Sequence, residues 1–245
     1  MPVDLKRRMD ALVARHDAYI YRGNALSERT VVALMAPTAV GKSTLANACL
    51  HLCAERGFDA AEAGTTTTRD RRVGDDPPNY ITASEGVTFA SMIDEIEKGE
   101  FVNWSMHGTG HLYGTAPQNF AHAYNFLPMI PDSLPMMQRA GFKKIIAIYL
   151  VVTVEQWQAQ LAERINDPRF AGRMHEALAS LEFAKAHSSQ LIVLNNSPGK
   201  EALRARADAI ITDMTDGTPL QSDSGTDQLI DGMLAYAREV VDGNT

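Results

Sequence analysis

Nothing in the chain approaches the roughly 18–20 consecutive apolar residues of a membrane-spanning helix, so no membrane partner is expected. The segment Met1 to Tyr21 is charged and amphipathic and lacks the apolar core of a secretory signal. The cytoplasm is therefore the expected compartment. Positive charge is also short: 23 Lys and Arg stand against 30 Asp and Glu, a net charge of −7. That excludes a broad nucleic-acid surface. Cysteine is nearly absent, with Cys49 and Cys53 alone. They lie one helical turn apart, unsuited to a strain-free disulfide, and no further ligands stand near enough for a metal. Buried, reduced thiols are the expectation. There is no internal repeat and no low-complexity tract. What remains is an ordinary globular composition, 45% hydrophobic over 245 residues, enough for one good core with a small appendage.

One stretch carries most of the chemistry. The apolar run Val31-Val32-Ala33-Leu34-Met35 leads through Ala36-Pro37-Thr38-Ala39-Val40 into Gly41-Lys42-Ser43-Thr44, and a helical pattern follows. Strand, turn and helix in that order are the context of a phosphate-binding loop. Main-chain N–H groups from Ala39 to Thr44 would face a nucleotide's phosphates. Lys42 would neutralise the β and γ oxygens, and the Ser43 hydroxyl would ligate Mg²⁺, which implies ATP and Mg²⁺ as cofactors. The motif usually opens with glycine, and Ala36 stands there instead. Gly-Lys-Ser before a helix also fits an ordinary helix start capped by Ser43.

Periodicity predicts helices over 3–21, 42–56, 90–99, 154–165, 173–187, 198–212 and 228–241. It predicts strands over 30–36, 144–152 and 190–194, with strand and turn over 101–116, a short apolar run at 126–130, and loop with short strands over 64–90. Strands alternating with helices point to an α/β fold: a three-layer phosphate-loop architecture with a parallel central sheet covered on both faces. Residues 215–226 have the composition of a linker. The helix after it fits packing on the core or on a second copy in a homodimer.

Further blocks narrow the reading. Thr65-Thr66-Thr67-Thr68-Arg69-Asp70-Arg71-Arg72-Val73-Gly74-Asp75 is followed by Tyr80, then by Gly99-Glu100-Phe101-Val102-Asn103-Trp104 and Tyr113-Gly114-Thr115. A monophosphate carries about two negative charges, and the guanidiniums of Arg69 and Arg72 can clamp it. Tyr80 and Tyr113 can add phenolic hydrogen bonds. Arg164, Arg169 and Arg173 form a second basic set. Arginines that arrive on closure stabilise the charge of phosphoryl transfer and exclude water. His107 and His111 flank a glycine turn, but a metal pair there lacks a third ligand.

The loop alone resembles that of tRNA prenyltransferases. The ordered set of loop, Thr-Thr-Arg-x-x-Arg, Gly-x-Phe and Tyr-Gly-Thr resembles the guanylate kinase family over about residues 30–213. The resemblance implies an acceptor-binding subdomain near 64–116 and a lid near 164–173, with extensions at 1–29 and 214–245. It implies Arg69, Arg72, Tyr80 and Tyr113 on the acceptor phosphate, and Thr65 and Thr115 near the base. It also implies Arg164 and Arg173 in catalysis beside Lys42, and Asn195 by the donor adenine. The implied activity is transfer of the ATP γ-phosphoryl to a nucleoside or deoxynucleoside 5′-monophosphate.

Two positions depart from that family. Guanine is usually read by a glutamate where this chain has Asn103, whose amide offers one acceptor and one donor group. The acceptor is then expected to be something other than plain GMP, or guanine read less strictly. The family's strand aspartates are also missing: the segment runs Phe126-Leu127-Pro128-Met129-Ile130-Pro131-Asp132, with Asp132 late and Asp75 a second substitute. That leaves two other readings open, a binding module of the same fold without catalysis, and a kinase of another small phosphorylated acceptor.

Overall fold

The computed structural model describes residues 3–15, 21, 23, 26–72 and 80–243. Its centre is β1 (Thr30–Met35), every residue of which is buried. A strand buried on both faces needs a continuous apolar run and parallel neighbours. Those neighbours are β7 (Tyr124–Met129) and β8 (Lys144–Val151), with β2 (Ala60–Glu62) and β9 (Ile192–Asn195) at the edges. All pairings are parallel, in the order β2-β7-β1-β8-β9. The register sets Met35 beside Met129 and Tyr149, so β1 and β7 end level where the chain turns into the loop before α2, and β8 runs two residues further.

Helices α2 (Lys42–Glu55), α5 (Val154–Ala162), α6 (Phe170–Ala186), α7 (Lys200–Asp216) and α8 (Thr226–Gly243) cover this sheet. Helix α8 resolves the choice left by the sequence, because it packs on the core. Ile230, Met233, Leu234 and Ala237 recur at helical spacing and are buried there. Tyr236 meets the Trp157 ring edge-on at 5.7 Å. Cys49 and Cys53 are free and buried on α2, where burial pushes their thiols up to about 12 and about 11.

A second sheet has the order β4-β3-β6-β5, from β3 (Thr65–Thr67), β4 (Tyr80–Ile81), β5 (Asn103–Met106) and β6 (Leu112–Thr115). It has its own core. Helix α3 (Phe89–Lys98) is capped by Thr88 and Ser91, ends on Gly99 in the left-handed region, and buries Met92, Ile93 and Ile96. Helix α1 (Val3–Ala14) adds Met9 and Leu12 to the same cluster, each burial contributing about 2 kcal/mol. Arg8 on α1 bonds Asp94 and Glu97 on α3 at 2.5 and 2.7 Å. The helix expected over 3–21 ends at Ala14, and residues 16–20 lie outside the described residues.

Two elements had no counterpart in the sequence reading: β2, and the short helix α4 (Leu134–Arg139). No described helix is long and apolar enough to cross a membrane.

Candidate functional site

The turn from β1 into α2 is shaped by two left-handed residues, Ala39 (φ 68°) and Gly41 (φ 92°). Gly41 is the cap position of α2, and no side chain caps it. The first N–H groups of the helix are therefore left for a ligand, and the alternative of a Ser43 cap is not what the chain adopts. The loop is held from behind. Trp157 Nε1 donates to the Thr38 carbonyl at 2.9 Å, and Asn196 Nδ2 donates to the Val40 carbonyl at 2.7 Å. A Cβ on Gly41 would meet Asn196 Nδ2 at 2.7 Å, so glycine is needed there for space as well as for φ. The Lys42 ammonium donates to the Met129 carbonyl at 3.1 Å.

Facing the loop is the polar side of the second sheet. Asn103 is registered against Thr115, Ser105 against Tyr113, and Thr65 against Tyr80. Period-two alternation puts these residues on one face. Trp104 and Leu112 go to the other face, into the small core. Gly114 lies opposite Trp104, and its missing Cβ leaves room for the Phe101 ring, 2.8 Å away.

Between the two walls lies a cavity of about 750 Å³. It gathers Ala39, Val40, Gly41, Lys42, Ser43 and Thr44 from the loop, and Thr65, Arg69, Arg72, Tyr80, Asn103, Tyr113 and Thr115 from the opposite wall. Arg164 and Arg173 close a third side. Five cationic side chains and two carboxylates, Glu163 and Glu176, line it. The cavity is therefore electropositive in a protein of net negative charge.

Arg69 is buried, its guanidinium 4.9 Å from the Tyr80 ring centroid, and it donates to the Asp70 carbonyl at 2.9 Å. Asn103 is also buried, and its Oδ1 has no hydrogen-bond partner among the described residues. Arg173 pairs with Asp167 at 3.5 Å, and Arg169 pairs with the same carboxylate at 2.9 Å. The arginines hold Asp167 down at about 2. Burial lowers Arg173, against the pull of Asp167.

Burial pushes Lys42 down to about 8, opposed by the charge of Glu176. For Glu176 burial pulls upward, but the His107 hydrogen bond, the Gly108 N–H and the Lys42 charge together hold it below the usual carboxylate range. Burial, then the charges of Arg72 and Arg69, lowers His111. Among the described residues no group of three or more His, Cys, Asp or Glu could hold a metal ion by itself.

Three expected positions fall away from the cavity. Asn195 is not on its wall, and among the described residues its buried side-chain oxygen has no partner; the next residue, Asn196, props the loop instead. Asp132 is exposed on a short 3₁₀ turn, with Ser133 Oγ 3.4 Å from its Oδ1. Asp75 lies outside the described residues. Arg169 is half-exposed beside Asp167 and off the wall. Sequence reasoning missed Trp157, Asn196, Ser105 and Glu176. For Glu176 a signal existed, since it follows Arg173 by three residues on a helix and so shares its face.

Fold and site together define a phosphate-loop α/β protein with a guanylate-kinase-like architecture. Among solved structures the chain is similar to the guanylate kinase from Anaplasma phagocytophilum, with a TM-score of 0.51 and 16% identity. The match covers 84% of this chain and 96% of that one. No family model matches the chain, and no curated protein matches it.

Proposed function

We propose that the protein is a nucleoside monophosphate kinase. One observation carries the reading: a single cavity has an uncapped phosphate loop on one wall and, facing it, a polar sheet face joined by Arg69 and Arg72 from the segment after β3. ATP would lie with its phosphates on residues 39–44 and Lys42. The acceptor's phosphate would lie between Arg69, Arg72, Tyr80 and Tyr113, and its base against Thr65, Asn103 and Thr115. An acceptor phosphate oxygen attacks the γ-phosphorus, the bond to the β-bridging oxygen breaks, and ADP leaves beside a nucleoside diphosphate. The attacking oxygen is already anionic, so no general base is required.

Arg164 and Arg173 neutralise the charge that spreads over the transferred group. The Ser43 hydroxyl lines the cavity and has no hydrogen-bond partner among the described residues. A hard oxygen donor with no protein cage around it suits Mg²⁺ delivered on nucleotide phosphates. Bound there, Mg²⁺ would screen the β and γ oxygens.

Asn103 supports an altered base preference. A buried acceptor without a partner costs about 1–3 kcal/mol, which a base N–H against its Oδ1 would recover. An amide pairs with an adjacent donor and acceptor, whereas a carboxylate pairs with the two donors of guanine. The Leu127-Pro128-Met129-Ile130 wall carries no carboxylate, and that favours a second reading, a non-catalytic module that binds a phosphorylated partner.

ADP release from ATP–Mg²⁺ across a panel of ribo- and deoxynucleoside monophosphates separates them. Turnover with a few acceptors, lost in Lys42→Ala, supports the kinase. ATP binding without turnover by any acceptor supports the module. Asn103→Glu should move base preference toward GMP, and an unchanged preference would overturn the role of Asn103.

A further inference from the structure

The β5–β6 turn and the start of α6 meet through bare backbone. A Cβ on Gly108 would stand 2.7 Å from the Gly172 carbonyl oxygen, and one on Gly172 would stand 3.0 Å from the Gly108 carbonyl oxygen. Neither glycine is in the left-handed region. Space, not conformation, calls for glycine at both, even though glycine weakens a helix. The approach brings Glu176, one turn along α6, under the turn. Its Oε2 accepts from the Gly108 N–H at 3.1 Å and lies 3.4 Å from His107 Nδ1. The His107 ring in turn lies against the Tyr113 ring, with centroids 4.0 Å apart and planes tilted by 36°.

A continuous chain of contacts thus runs from Tyr113 on the small sheet through His107 to Glu176 on the helix that carries Arg173. Glu176 and Lys42 line the same cavity. This uses the His-Gly-Thr-Gly-His turn, whose histidines belong to no group of three or more His, Cys, Asp or Glu among the described residues that could hold a metal ion.

We propose that His107 and Glu176 are positioning residues that make acceptor binding and nucleotide binding cooperative; the proposal rests on the kinase reading above. A phosphate held at Tyr113 favours the same docking of turn on helix that sets Arg173 beside the donor loop. Each ligand then relieves the other of part of the cost of holding that arrangement.

The test uses the full chain with His107→Ala, Glu176→Ala, Glu176→Gln, the double alanine variant and Gly172→Ala. Amide exchange in the ligand-free protein comes first. Amides of 107–111 should exchange about tenfold faster in both alanine variants, while those of β1 keep their rates. Gly172→Ala should do the same by wedging the contact, although alanine is the better helix former.

The second readout is the ratio of ADP–Mg²⁺ dissociation constants without and with acceptor. The probe is the monophosphate that turns over in the panel, or inorganic phosphate if none does. A ratio of about ten in the native protein should fall to near one in each alanine variant and no further in the double variant. Glu176→Gln, which can still accept from Gly108, should recover part of it. Unchanged exchange at 107–111, an unchanged ratio, or effects that add in the double variant would each overturn the proposal. A merely structural role would lower the melting temperature and leave the ratio alone. If Lys42→Ala shows the kinase reading to be wrong, the exchange result still decides whether the turn is latched.

Discussion

The wall built from residues 36–44 presents main chain, whereas the wall built from β3, β4, β5 and β6 presents side chains. On the first wall the groups offered are N–H dipoles at an uncapped helix start, aimed by the left-handed Ala39 and Gly41 and propped by Trp157 and Asn196. On the second they are two guanidiniums from the segment after β3, with two phenols and a set of Thr, Ser and Asn groups drawn from four strands. Main-chain recognition suits a group that is the same in every nucleotide, the polyphosphate. Side-chain recognition can be tuned to one acceptor, and it is on that wall that the buried Asn103 stands.

The contrast predicts that damage to the two walls separates in kinetics. Arg69→Ala should raise the acceptor KM about 100-fold, the loss of two charge-assisted hydrogen bonds, and leave ATP affinity within about twofold of native, the remaining contacts being independent. Steady-state kinetics with each substrate varied checks this, and an equal loss on both sides would break the comparison.

Gly41→Ala should do the reverse. The added Cβ meets Asn196 and sits at φ 92°, so a stability loss of about 1–3 kcal/mol and roughly tenfold weaker ATP binding are expected. Urea melts and calorimetric titration read both.

Trp157→Phe keeps the ring packed but orphans the Thr38 carbonyl. About 1–2 kcal/mol of stability should go, with ATP affinity following and the acceptor KM unmoved.

The smallest effect is a proton. Lys42 sits at about 8 in the ligand-free protein because burial disfavours its charge, and bound phosphates favour the ammonium. At pH 8.5 the free protein holds this amine mostly neutral, so ATP binding should take up a fraction of a proton. At pH 7 uptake should vanish, and affinity should fall as pH rises through 8. Calorimetry in buffers of different ionisation enthalpy measures this, and Lys42→Arg should abolish the uptake because arginine stays charged.

The legibility of the chain follows the same divide. The parallel sheet could be read because β1 and β8 are apolar runs of β-branched residues, and α2 because its pattern begins at the loop. Strand β2 could not be read: Ala60-Ala61-Glu62 has no strand pattern, and only pairing with β7 makes it one. Helix α4 hides behind Pro131 and Pro135. In the site, Arg69, Arg72, Tyr80 and Tyr113 could be picked out because their residue types announce anion binding. Glu176 had only its place on the Arg173 face of the helix to mark it, since its partners, His107 and Gly108, lie far away in sequence.

The sequence alone determined the α/β class, the strand–turn–helix segment around Gly41-Lys42-Ser43 and the run of basic side chains that lines the cavity. Those depend on local pattern and residue chemistry, which survive any arrangement of the rest. Only the tertiary structure decided that Asn196 and not Asn195 serves the loop, that α8 closes the core, and that a carboxylate from α6 reaches the hairpin turn. Such contacts arise when strand order and helix packing bring distant segments within a few ångströms, and no local spacing encodes that.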